Sequence, residues 1–146
     1  MAFWVWDNGL NTGIQEIDSQ HKRIVDYVNQ LDEAIAVNKT NERIGVILDD
    51  LIDYTYSHFI FEETLMEQAG YPMIDPHKKL HEAFRNRVQS LKTRFDRGED
   101  VALIVRSELK VWLTNHIKGD DVFYVPSVKK SLNPSFMSRT LKNIFG

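Results

Sequence analysis

The sequence predicts an all-α fold: an antiparallel up-down-up-down four-helix bundle with an N-terminal arm and a short C-terminal tail helix. Three observations carry this. Apolar residues recur in steps of three and four along four separate stretches, the period of a helix with one buried face. Turn-forming residues punctuate each stretch. The connections are short, and short connections make neighbouring helices antiparallel. The 146 residues suit one domain spanning 1–146, divided into an arm over 1–17, a bundle over 18–125 and a tail over 126–146.

The arm carries Phe3, Trp4 and Trp6 and is expected to pack on the bundle. The first helix is expected to begin at Asp18, a good N-cap residue, and to reach Val37. Its inner face reads His21, Ile24, Val28, Leu31, Ile35. "NKTN" interrupts the pattern. The second helix should start at Thr40 or Asn41 and run to Ala69, with Ile44, Leu48, Leu51, Thr55, His58, Glu62 and Leu65 facing inward. Gly70 suits its C-terminal cap, and Pro72 prevents continuation. The third helix opens at "DPHKK", with Asp75 as N-cap and Pro76 at the first helical position, and closes before Gly98. His77, His81, Phe84, Val88, Leu91 and Phe95 form its inner stripe. The fourth follows Asp100, turns Val105, Leu109, Trp112 and His116 inward, and is expected to end at Tyr124, before Pro126. The tail is basic. A short helix from Asn133-Pro134 should half-bury Phe136, Leu141, Ile144 and Phe145 against the bundle, with a membrane or partner contact through the tail as the weaker alternative.

Composition narrows the function. Hydrophobic residues make up 42% and charged residues 27%, as in ordinary soluble proteins. A net charge of −3 leaves no dominating basic surface, which argues against nucleic acid as a partner. The absence of cysteine excludes disulfides, thiolate zinc sites, iron–sulfur clusters and cysteine nucleophiles. Any metal must therefore be held by nitrogen and oxygen. The start "MAFWVWDNGLNTG" lacks the form of a signal peptide, and no apolar run approaches the roughly 18 residues of a membrane span. A soluble, cytoplasmic protein, monomeric by default, is the expectation.

All five histidines fall on inner stripes, and so does Glu62. His21, His77 and His81 lie near the starts of the first and third helices. His58, Glu62 and His116 lie late in the second and fourth. In an antiparallel bundle these levels adjoin, so the imidazoles converge at one end of one core. A single histidine on an apolar face is usually a satisfied core residue. Five converging ones cannot satisfy each other, and each unpaired buried polar group costs about 1–3 kcal/mol. A buried Glu62 would cost more or become protonated. Metal ions turn all these groups into ligands. The set exceeds a closed four-ligand zinc site, and two ions sharing a carboxylate fit it better. "HKKLH" is not a zinc-protease helix, because Lys78 stands where that motif needs Glu. Ligand type alone leaves iron, zinc, copper and nickel open.

These residues resemble the hemerythrins, specifically the single-domain bacterial ones. The matching stretches are "IDSQHK" around His21, "HFIFEE" from His58, "GYPMIDPHKKLH" through His77 and His81, and "WLTNHIKGDDVFY" through His116. The resemblance implies two non-haem iron ions with an oxo or hydroxo bridge. His77, His81 and His116 would hold one iron, and His21 and His58 the other. Glu62 and Asp121 would bridge them, with O₂ binding at the open position of the two-histidine iron. Ile24, Trp112, Leu113 and Ile117 would wall a dry O₂ pocket. Spacing favours Asp120, four residues after His116, over Asp121, which an ideal helix turns about 140° away. The family pattern selects Asp121, and a local widening at Gly119 would reconcile the two. Asp120 is then expected to be a solvated neighbour. Asp18 also matches the family motif, but an N-cap role accounts for it most simply. Tyr54, Tyr124 and Glu63 are candidates to orient the imidazoles, although Glu63, adjacent to Glu62, is expected to be exposed. The function implied is reversible dioxygen binding for transport, storage or delivery, without enzymatic turnover, and an oxygen-consuming protein is a candidate partner. The alternative is a sensor of oxygen or redox state, or a handler of iron, nitric oxide or peroxide, at the same site.

Overall fold

The computed structural model describes residues 2–146. Six α-helices follow a single 3₁₀ turn over Asn8–Leu10: α1 Gln15–Ala36, α2 Asn41–Ala69, α3 Ile74–Asp96, α4 Ala102–His116, α5 Val122–Ser131 and α6 Pro134–Phe145. No strand occurs among the described residues. Helix α1 packs against α2 and α4, and α3 packs against α2 and α4, which closes a ring of four rods. Helix α2 also carries α5 and α6 on its later half.

Helix α2 begins and ends as its sequence dictates. Thr40 accepts a hydrogen bond from the Arg43 amide, and Gly70 closes the helix in the left-handed region at φ 68°. Three other boundaries differ from expectation: the starts of α1 and α3 and the end of the fourth rod. Helix α1 starts three residues before Asp18. The Asp18 carboxylate instead accepts from the Thr12 amide (2.7 Å), the Thr12 hydroxyl (2.8 Å) and the Gly13 amide (3.1 Å), tying the arm to the first turn. Helix α3 starts at Ile74, so Asp75 and Pro76 lie inside its first turn rather than at its cap. Proline is tolerated there because the first turn's N–H groups lack intrahelical partners in any case. Asp75 still complements the positive end of the helix.

The fourth rod departs most. It does not stop before Pro126. A π-helical turn over Ile117–Asp121 joins α4 to α5, which continues through Pro126 to Ser131. Proline costs a helix one backbone hydrogen bond. Burial of Tyr124, Val125 and Val128 outweighs that loss.

The arm docks through Trp4, whose backbone exchanges two 2.8 Å hydrogen bonds with the Asn29 side chain. Phe3 receives Arg106 and Lys110 over its ring at 4.1 and 4.7 Å. At the other extremity α6 lays Phe145 against Phe61 and Tyr54, at ring distances of 6.1 and 5.3 Å.

The interior divides into two apolar clusters. The larger includes Ile24, Val28, Leu31, Leu48, Leu51, Phe59, Phe84, Leu91, Leu109 and Leu113. The smaller includes Ile14, Ile17, Phe61, Leu65, Met66, Tyr124, Val128 and Met137. On each rod the histidines and carboxylates fall between the two. The polar layer is therefore not at the end of the core, as expected, but inside it, lidded by α5, α6 and the later half of α2.

Candidate metal centre

Each rod delivers its part of the layer by simple periodicity. His58 and Glu62 are one turn apart on α2, as are His77 and His81 on α3, so each pair shares a face. His21 comes from the early part of α1 and His116 ends α4. Asp121 closes the π turn. The widened turn brings two consecutive aspartates to one imidazole: Asp121 Oδ1 lies 3.0 Å from His116 Nε2, and Asp120 Oδ2 lies 2.9 Å from His116 Nδ1. A plain α-helix turns adjacent side chains about 100° apart and would not bring both carboxylates to the ring so closely.

The seven candidate ligands are all buried. They form two groups. Glu62, His77, His81, His116 and Asp121 present ligand atoms within 4.8 Å of one another, and so do His21, His58 and Glu62. Both carboxylates face both groups. Glu62 lies against His58 Nε2 and 4.0 Å from His77 Nε2. Asp121 lies 3.1 Å from His77 Nε2 and 3.5 Å from His21 Nε2.

The outer nitrogens are partly committed elsewhere. His58 Nδ1 pairs with Gln20 Oε1 at 2.7 Å, His81 Nδ1 with Glu63 Oε2 at 2.8 Å, and His116 Nδ1 with Asp120 Oδ2 at 2.9 Å. An amide or carboxylate oxygen only accepts, so each of these Nδ1 atoms donates. In a neutral ring the Nε2 atom then carries a lone pair. His81 Nε2 and His116 Nε2 stand 2.9 Å apart, which would set two lone pairs against each other. The inward Nε2 atoms of His21, His58 and His77 and all four oxygens of Glu62 and Asp121 have no hydrogen-bond partner. Such a collection is stable only around positive charge.

The acidities respond accordingly. Burial depresses His21, but Asp121 and Glu62 outweigh it and raise its pKa to about 9. Burial likewise opposes protonation of His116, and Asp121 overcomes it, raising the pKa. For His58 and His81 burial prevails, and their values fall. Burial works to raise Glu62, yet the neighbouring imidazoles of His58 and His21 hold it well below the usual carboxylate range. Asp121 is likewise held low, chiefly by His116, against burial and the repulsion of Glu62. The layer keeps its carboxylates ionised and draws cations to them. Imidazole and carboxylate donors, orphaned inward and supported outward, fit a pair of transition-metal ions.

Sequence reasoning missed part of the outer support. Glu63 is not simply exposed and Asp120 is not a free solvated neighbour, since each accepts from a ring of the layer. Gln20 was overlooked altogether. Its only sequence signal is adjacency to His21, as Glu63 adjoins Glu62 and Asp120 adjoins Asp121. Tyr54 takes no part and packs against Tyr27 and Phe145. Tyr124 is fully buried with its hydroxyl unpartnered and its ring 5.6 Å from His77. Of the proposed pocket walls, Ile24, Leu113 and Ile117 are buried in the larger cluster. Trp112 is half-buried and stacks on His116 at 4.3 Å and on Phe84 at 4.0 Å, against the three-histidine side.

Comparison with known proteins agrees with this geometry. The hemerythrin HHE cation-binding domain matches residues 12–126. A bacteriohemerythrin of Pseudomonas aeruginosa is 46% identical, with all of both chains covered. One of Methylococcus capsulatus is 38% identical over 86% of this chain and 97% of its own. A crystal structure of wild-type hemerythrin superposes with a TM-score of 0.81 at 34% identity, covering 87% of this chain and 98% of that one. The chain belongs to the hemerythrin family.

Proposed function

We propose that this protein binds dioxygen reversibly, for transport, storage or delivery, and that His21, His58, Glu62, His77, His81, His116 and Asp121 hold its two metals. The coarser part follows from the family: a non-haem di-iron centre that binds O₂. The observation that carries the residue assignment is the set of buried, unpartnered Nε2 and carboxylate oxygen atoms facing one another across the four rods.

When bound, the two irons supply the electrons that dioxygen takes up and returns. The chain supplies the rest. His77, His81 and His116 would bind one ion through Nε2, and His21 and His58 the other. Glu62 and Asp121 face both groups and would bridge them. The two-histidine group offers fewer donors, which leaves room for a small ligand there. Gln20, Glu63 and Asp120 hold protons on the outer nitrogens of His58, His81 and His116 and so keep the inner nitrogens free for metal. Ile24, Leu113 and Ile117 exclude water, which favours return of the ligand over oxidation of the metal. The inward imidazole nitrogens and carboxylate oxygens would be committed to the metals, which favours binding over turnover.

The test is an anaerobic titration of the reduced, iron-loaded protein with O₂, followed by an argon purge. A charge-transfer absorption that rises stoichiometrically and then disappears is expected. Continuous O₂ consumption in the presence of a reductant would count against a carrier.

A further inference from the structure

Glu62 and Asp121 serve both halves of the layer and the histidines are neutral ligands, so beyond the histidine count any difference in charge between the two metal positions must arise further out. The outer partners differ in charge. On the three-histidine side, His81 Nδ1 donates to the carboxylate of Glu63 and His116 Nδ1 to that of Asp120. On the two-histidine side, His58 Nδ1 donates to the neutral amide of Gln20, and His21 Nδ1 has no partner. A carboxylate behind an imidazole polarises the ring and raises the basicity of its inner nitrogen, and its charge lies one ring from the ion. An amide oxygen does this far less.

We propose that Glu63 and Asp120 act as positioning residues that make the two metal positions electronically unequal. The three-histidine position is biased towards the trivalent ion, and the two-histidine position, backed by Gln20, towards the divalent one. This rests on the di-iron reading above. When ferricyanide removes one electron from the reduced Fe(II)–Fe(II) pair, it becomes ferrocyanide and the pair becomes Fe(II)–Fe(III), with the ferric ion on the three-histidine side. Glu63 is the stronger lever, because its side chain is 20% exposed against 38% for Asp120, and water screens the more exposed charge.

The experiment is an anaerobic redox titration of the iron-loaded protein, followed by electron paramagnetic resonance, with iron counted per chain. Glu63→Gln keeps a hydrogen-bond acceptor and removes the charge. At a fixed potential it should lower the ratio of oxidised to reduced protein in the first step about tenfold, equivalent to about 59 mV. Asp120→Asn should shift the ratio in the same direction by less, and Glu63→Asp should largely restore the wild-type value. In the mixed-valence Gln20→Glu protein, Mössbauer spectra should show the ferric signal divided between two environments. A role confined to ring orientation would lower iron content or affinity without moving the midpoint. Unmoved midpoints in Glu63→Gln and Asp120→Asn, with two irons retained, overturn the inference. If Glu63→Gln fails to load, Asp120→Asn decides alone. A wild-type chain that binds no iron would instead sink the di-iron reading itself.

Discussion

His21 shows how the layer couples protons to metal. Its pKa of about 9 lies above the ordinary histidine value of 6.5. In the metal-free protein its protonation therefore contributes stability that is complete below about pH 6.5 and lost as pH rises through about 9. A metal must displace that proton to reach Nε2. Ferrous ion uptake at pH 8 is expected to release about one proton from this site, and apparent affinity should rise roughly tenfold per pH unit between 6.5 and 9. Proton release measured in weakly buffered solution checks this, and His21→Leu should abolish that component. Leu113 carries a second residue-scale expectation. It is fully buried, and Leu113→Ala should cost about 2–5 kcal/mol and speed autoxidation of the oxygenated form. Unchanged autoxidation would remove Leu113 from the pocket.

At the scale of elements, the π turn decides which carboxylates reach the layer. Spacing in an ideal helix pointed to Asp120, whereas the structure sets Asp121 inside and Asp120 behind His116. Gly119 looked like the cause of the widening, but it is not sterically required. A Cβ placed there meets nothing within 4 Å, and its φ is not in the left-handed region. Gly119→Ala is therefore expected to keep two irons per chain and to gain up to about 1 kcal/mol from helix propensity. Loss of one iron would show that backbone freedom at this position does matter. The burial of Asp121, Tyr124 and Val125 sustains the turn instead. The same burial explains why Pro126 failed as a stop signal.

At the scale of the molecule, the layer is sealed between two apolar clusters, and α6 forms part of the lid. Deleting residues 133–146 would uncover Phe61 and Tyr54 and remove Met137 from the smaller cluster. A net loss of about 2 kcal/mol is expected, or ~4–8 °C in melting temperature. A calorimetric scan of metal-free protein checks it, and iron loading should recover part of the loss by mass action. An unchanged melting point would mean that α6 adds nothing to the seal.

Periodicity determined the four rods and the inward histidines, because which face of a helix is buried is encoded by steps of three and four, and the short connections determined their antiparallel order. The Thr40 and Gly70 boundaries were equally legible, since capping is a local hydrogen-bonding matter. Asp18, Asp75 and Pro126 misled because each is compatible with a helix end without enforcing one. Long-range burial chose where the ends fell. Only the tertiary structure decided that Glu63, Asp120 and Gln20 stand behind the histidines. Their roles depend on how rods distant in sequence pack and on one widened turn, and neither leaves a period in the chain.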